Sequence, residues 1–348
     1  MDTNYANRYE TKRTKRHTAV LSYSVGIFML VSMLLTYAFS RAYSTYFAFF
    51  ADGKSELLSE IVSRVFGISR LESVTVVKSF LTSGALEEIF SLISMIVCIF
   101  LPAYVLGKMW GIGVSDCFVT EGKFVRGVVF VYAFSQLFML CMTNFADTMW
   151  SFLFPSAKGA SALQGSYSDN IYVLVISFLC ACIAVPFVEE YVFRGVVFRV
   201  FGKAGTGFAV VASALCFGLM HGSALQCMYA TAFGLVSAML VVVTGNIKTS
   251  VLFHALNNTV SFLSSVIPSL FGQKAADCFD NVHVLFVLSF SLYGMYLFFS
   301  NDGILSDFRE KAKSGSDTQA GAKLSAVFSL PFVLYVILFA ARCVLQAV

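Results

Sequence analysis

Residues 170–188 read NIYVLVISFLCACIAVPFV, and residues 189–195 continue with EEYVFRG. The first run holds no charged side chain and is long enough to cross a bilayer, which takes about 20 mostly apolar residues. Lipid offers the backbone no hydrogen-bond partners, so only helices and closed barrels span it, and a run this long is a helix. The second run then places two carboxylates and a guanidinium directly against that helix. Fold and chemistry meet at this junction.

Working outward, eight further runs have the same character. They cover residues 19–40, 88–107, 127–143, 206–221, 223–244, 249–267, 283–300 and 325–345, and the tight 206–244 pair must form a hairpin. Composition agrees: of 348 residues, 58% are hydrophobic and only 13% charged, against about 25% charged in a soluble domain. One soluble core cannot hide that much apolar surface. The expected fold is all-α, a polytopic transmembrane helix bundle of about 8–9 spans. The net charge of +4 needs no anionic partner, and no basic stretch carries aromatics as a nucleic-acid surface does. Nine cysteines, an odd number without a CxxC pair, read as small buried apolar residues rather than a disulfide framework.

The chain divides into a basic N-terminal tail (1–18), an N-terminal membrane region (19–169), a core that carries the chemistry (170–268) and C-terminal membrane helices (269–348). A mixed-charge loop occupies 41–87, where Leu57, Leu58, Ile61 and Val65 fall at helical spacing, and a polar loop occupies 301–323. With Lys12, Arg13, Lys15 and Arg16 inside, inner segments hold 16 of the 24 Lys and Arg residues, which places the N-terminus in the cytoplasm. Segments 109–124, 189–205 and 301–323 then face the cytosol. The chain reads as a multi-pass protein of a cell membrane, bacterial in style, because nothing in it resembles a eukaryotic sorting signal.

Ionisable groups inside apolar runs are costly and mark functional candidates. Three clusters stand out. In the first, Glu190 and Arg194 are i,i+4 and pair along one helical face, while Glu189 points about 100° away. The second ends a span with Phe217-Gly-Leu-Met-His221, and the third is His254-Ala-Leu-Asn257-Asn258, with His254 and Asn258 on one face. A carboxylate, two histidines and an amide make a hydrolytic set: the acid takes a proton from water, and imidazole and amide groups stabilise an oxyanion. No serine or cysteine stands in a convincing nucleophile setting. Gly202-Lys-Ala-Gly205-Thr-Gly207 lacks the strand and the ending of a phosphate loop and reads as a turn. Pro186, just before Glu189, removes a backbone hydrogen bond and can open the helix beside that carboxylate.

Glu189-Glu190-x-x-x-Arg194, Phe217-x-x-x-His221 and His254-x-x-x-Asn258 together resemble the three motifs of the CAAX prenyl endopeptidase type II and bacteriocin-processing (CPBP, or Abi) family. The likeness covers about 170–265 and extends elsewhere only as hydrophobicity. It implies an intramembrane endopeptidase, with Glu189 as water-activating base, His221 helping to hold the water, and His254 and Asn258 binding the oxyanion. Glu190 and Arg194 would orient Glu189 and tie its helix to neighbours, with Phe217 in support. The implied substrate is a peptide or membrane-associated protein; the bilayer is the other partner, no nucleic acid is expected, and nothing fixes the oligomeric state. Non-enzymatic alternatives are a bacteriocin self-immunity or scaffold protein, or, less favoured, a proton-coupled transporter.

The family is usually classed with metalloproteases, and Glu189, His221 and His254 would suit zinc with water in the fourth position. They come from three separate spans, unlike HExxH, where one helical turn pre-forms the site. No cofactor is certain from the sequence, and both a metal-assisted and a metal-free water fit it. The orientation is testable: a single cysteine near residue 310, in a background without native cysteines, should resist an impermeant thiol reagent in intact cells. Ready labelling there inverts the topology of the C-terminal part.

Overall fold

The computed structural model describes residues 3–51, 55–82, 85–118, 128–153, 170–300, 310 and 329–347. Among them the regular structure is helical, with no strand. In chain order the helices are α1 (Thr3–Ala51), α2 (Ser55–Phe66), α3 (Arg70–Thr82) and α4, which begins at Ala85 and reaches Met109 through a π-helical turn at Ile96–Phe100. They continue with α5 (Val114–Phe118), α6 (Val128–Leu153), α7 (Ile171–Gly202), α8 (Thr206–Leu219), α9 (Ala224–Thr244), α10 (Ile247–Phe271), α11 (Gln273–Ser300) and α12 (Leu330–Ala347).

Among the described residues, six helices are long and apolar enough to cross a membrane, and Val131–Met142, Thr206–Leu219 and Leu330–Val344 are shorter apolar helices. Each of the nine apolar runs falls on one of these. The chain is therefore a polytopic helical bundle and a multi-pass membrane protein. The mixed-charge 41–87 stretch is largely helical: α1 runs on to Ala51, and α2 and α3 follow. Ser69 and Glu72 start α3 as a capping box, with Glu72 N donating to Ser69 Oγ (3.2 Å) and Ser69 N to Glu72 Oε2 (3.0 Å). The polar loop 301–323 lies outside the described residues apart from Glu310.

One expectation is corrected. The span that was read as ending at Val188 continues to Gly202 as a single membrane-length helix of 32 residues. Glu189 and Glu190 lie in its middle, and Tyr191–Val197 are all buried. Residues 189–202 are thus helix rather than loop, and only Lys203–Gly205 turns the chain into α8. Arg194 also leaves the count of loop cations, being 1% exposed.

The core gathers around this second half of α7. Tyr191, Val192, Phe193, Val196 and Val197 pack with Phe217 of α8, Phe233 of α9 and Phe253 of α10 in one apolar cluster. Local signals set the ends of these helices. Asn170 Oδ1 caps α7 by accepting from Tyr172 N (3.0 Å). Gly245, at φ +65°, closes α9 in the left-handed conformation that glycine adopts without strain, and Asn246 Oδ1 at once caps α10 through Lys248 N (2.9 Å). The last helix returns to the first: Ser22 Oγ donates to Ser329 Oγ (2.8 Å), and Tyr335 OH reaches Leu219 O at the end of α8 (2.8 Å).

The α8–α9 hairpin depends on a close approach at Gly218. A Cβ there would overlap Thr231 Oγ1 and lie 2.6 Å from the Cys227 carbonyl oxygen. The hydroxyl can rotate away, but the backbone carbonyl cannot. Gly218→Ala should therefore lower stability by about 1–3 kcal/mol, the usual cost of overpacking. Thermal unfolding of detergent-purified protein checks this; an unchanged midpoint would show that the helices have room to separate.

Candidate active site

Four helices supply the polar groups: α7 carries Glu189, Glu190 and Arg194, α8 carries Phe217 and leads to His221, α9 carries Ser237, and α10 carries Ser250, His254 and Asn258. Glu190 is fully buried, and both its oxygens are occupied. Oε1 lies 3.0 Å from His254 Nδ1 and 3.1 Å from Arg194 Nη1. Oε2 accepts from Ser237 Oγ (2.9 Å) and from Ser250 Oγ, and the two hydroxyls also touch each other (2.8 Å). The ion pair expected from the i,i+4 spacing is present.

Arg194 is held on three sides. Besides Glu190, its Nη2 donates to Gly234 O of α9 (3.2 Å), and its guanidinium covers the Phe217 ring at 4.6 Å from the centroid. The cation meets the electron-rich ring face, an attraction that grows when water is excluded. Nε and Nη1 make no hydrogen bond, so Arg194 meets Glu190 as a charge contact rather than an aligned bidentate pair.

Glu189, one residue earlier, stands apart. Its side chain is 17% exposed, and its Oε2 lies 3.8 Å from His254 Nε2. His254 therefore sits between the two glutamates. A carboxylate only accepts, so Glu190 holds the proton of His254 on Nδ1 and turns Nε2 towards Glu189. His221 is fixed in the same sense: its Nδ1 donates to the Phe217 carbonyl at 2.8 Å, which leaves Nε2 for a ligand. Phe217 separates the two imidazoles, with its centroid 4.7 Å from His221 and 5.9 Å from His254.

The structure thus brings together Glu189, Glu190, Arg194, Phe217, His254 and, across the Phe217 ring, His221. Asn258 is engaged elsewhere, donating through Nδ2 to Ala181 O of α7 (2.8 Å). Ser237, Ser250 and the Gly234 carbonyl were missed by sequence reasoning. A weak signal existed in Ser250, which lies one turn before His254 as Asn258 lies one turn after it. As for a metal, second-shell acceptors do hold both histidines with Nε2 free, as metal ligands are held. Among the described residues, no group of three His, Cys, Asp or Glu side chains lies close enough together to hold an ion.

Residues 171–260 match the family model described as type II CAAX prenyl endopeptidase Rce1-like. The matched segment contains all three motifs, which bears out the family resemblance drawn from them. No curated protein and no solved structure matches the chain.

The buried pair makes a direct prediction. Arg194→Leu leaves the Glu190 carboxylate without its countercharge, and breaking a buried pair on one side costs about 3–5 kcal/mol. Adding Glu190→Gln to that variant removes the orphaned charge and should recover part of the loss. Melting midpoints of the single and double variants in detergent measure this, and equal losses in both would mean that the pair contributes no coupling.

Proposed function

We propose that this protein is an intramembrane endopeptidase in which Glu189 takes the proton of the attacking water. The single observation that supports this is the unequal treatment of two adjacent glutamates in one membrane helix. Glu190 is saturated by Arg194, His254, Ser237 and Ser250 and has no capacity left for a substrate. Glu189 Oε2 instead approaches a histidine nitrogen, His254 Nε2, at 3.8 Å, too far for a direct hydrogen bond. Two groups at that separation are suited to holding a third between them.

In this reading, water lies against Glu189 and His254 Nε2, and the carboxylate removes its proton as the oxygen attacks a peptide carbonyl. That proton passes from Glu189 to the leaving amine, so the acid ends the cycle ionised. A neutral imidazole accepts a hydrogen bond from the water, and a protonated one donates to the developing oxyanion. In either role His254 Nδ1 keeps its contact with Glu190 Oε1. His221, with Nδ1 tied to its own helix, contributes Nε2 from across the Phe217 ring. The substrate is a peptide or a segment of a membrane-associated protein that reaches the site within the bilayer, as the type II CAAX endopeptidase match also suggests.

The test compares cells carrying the native chain, Glu189→Gln and Glu190→Gln, reading new peptide termini in the membrane fraction by mass spectrometry. Loss of a general base costs roughly 10²-fold or more, so Glu189→Gln should abolish those termini at normal protein levels. Glu190→Gln should chiefly lower the amount of folded protein. Identical peptide sets with and without Glu189 would sink the enzymatic reading and favour a non-catalytic immunity or scaffold protein. An active Glu189 variant beside a stable, inactive Glu190 variant would exchange the two roles.

A further inference from the structure

The last four carbonyls of a helix have no donor within it, so each needs a partner from outside. At the end of α8 every one is supplied. Met220 N donates to Cys216 O (3.2 Å) and His221 N to Gly218 O (3.1 Å). His221 Nδ1 donates to Phe217 O (2.8 Å). The fourth carbonyl, Leu219 O, accepts from the hydroxyl of Tyr335 in α12 at 2.8 Å, across 116 residues of chain. The imidazole therefore hangs on a turn that it closes with its own ring and that a distant tyrosine closes from outside.

Tyr335 is firmly placed. It is 3% exposed, and its OH also meets Met220 Sδ at 3.5 Å. Its helix lies close against α1, where a Cβ on Gly26 would come within 2.8 Å of Phe332 N. Two turns further along α12, Arg342 reaches the other end of the same α8 turn. A Cβ on Gly222 would lie 2.9 Å from Cζ and from both Nη atoms of Arg342, so the guanidinium lies flat over this glycine, whose φ is +77°. A cation is also well placed at the negative end of the α8 dipole. Helix α12 thus touches the turn at Leu219 and at Gly222, with His221 between them.

We propose that Tyr335 is a positioning residue for His221. By holding Leu219 O it keeps the last turn of α8 from fraying, and so keeps the ring's Nδ1 on Phe217 O and its Nε2 facing the site. Helix α12 lies beyond the matched segment 171–260, yet on this reading it is part of the site's frame. The effect on cleavage rests on the endopeptidase reading; the hold on His221 does not.

The test uses the full-length, detergent-purified chain with nitrogen-15 in its imidazoles. The chain has only four histidines, so the rings can be resolved, and His221→Gln identifies the His221 signals. At about pH 8, above the ordinary histidine range, the ring nitrogen shifts report which nitrogen carries the proton. Tyr335→Phe keeps the ring and removes only the hydroxyl. It should move His221 from the Nδ1–H form towards a mixture of tautomers and leave His254 and His283 in place. New peptide termini per molecule should fall about 10-fold, as expected for a displaced group in a site. Ser329→Ala, which removes the partner of Ser22 at the far end of α12, is the control: it should leave both His221 and cleavage per molecule unchanged. An unmoved His221 in Tyr335→Phe overturns the proposal, and so does an equal movement in Ser329→Ala. If Tyr335→Phe does not accumulate, Arg342→Gln releases the same turn from its exposed side, and an unmoved His221 there overturns the proposal in the same way. If His221 moves while cleavage per molecule holds, and Glu189→Gln abolishes it, the role in cleavage falls. If the native chain releases no termini at all, the endopeptidase reading fails, while the spectra still decide the hold on His221.

Discussion

A fully buried carboxylate in the middle of a membrane helix is the constraint around which this bundle is arranged. Isolated, Glu190 would cost several kcal/mol, and Coulomb attraction repays that cost only when the remaining lone pairs are also satisfied. Satisfying them requires Arg194 from the same helix, Ser237 from α9, and Ser250 and His254 from α10. Each partner has one workable position, so the carboxylate fixes the register of three helices at once. Apolar packing alone would not, because lipid solvates leucine as well as a neighbouring helix does.

Phe217 plays a matching part on the other side of Arg194. Its ring lies under the guanidinium, meets Phe193 edge-on at 5.1 Å, and lies between the imidazoles of His221 and His254. One aromatic side chain therefore shields the buried cation from lipid and spaces the two histidines. An aliphatic residue could fill the volume but would bring no quadrupole to the cation. This accounts for an aromatic residue four positions before His221, and for the half-buried turn at the end of α8 on which that histidine is presented.

Hydropathy made the helices legible, and i,i+4 spacing made the Glu190–Arg194 pair legible, because both are local properties of the chain. The continuation of α7 past Val188 was not. Glu189, Glu190 and Arg194 lower the apparent hydropathy of the window, although Glu190 and Arg194 pair inside the fold. A linear scan counts charges before they pair. Ser237 and Ser250 were hidden for a related reason: their partner lies 47 and 60 residues away, and a serine in a membrane helix usually bonds to its own backbone, as Thr244 does to Leu240 O. Pro186 could be read as a place where the helix opens, but not the π-helical turn at Leu179–Ala184 that precedes it.

The two glutamates also show how sequence neighbours come to do different work. A residue step of about 100° turns one carboxylate into the α7–α9–α10 interface and leaves the other at its edge. Inside, Glu190 meets Arg194 of its own helix, Ser237 of α9, and Ser250 and His254 of α10. At the edge, Glu189 Oε2 approaches His254 Nε2 at 3.8 Å. The histidine links the two, since the residue that faces Glu189 is the one that Glu190 orients. Adjacent positions thus take different places: one carboxylate is locked into the helix interface, and the imidazole it orients faces the other.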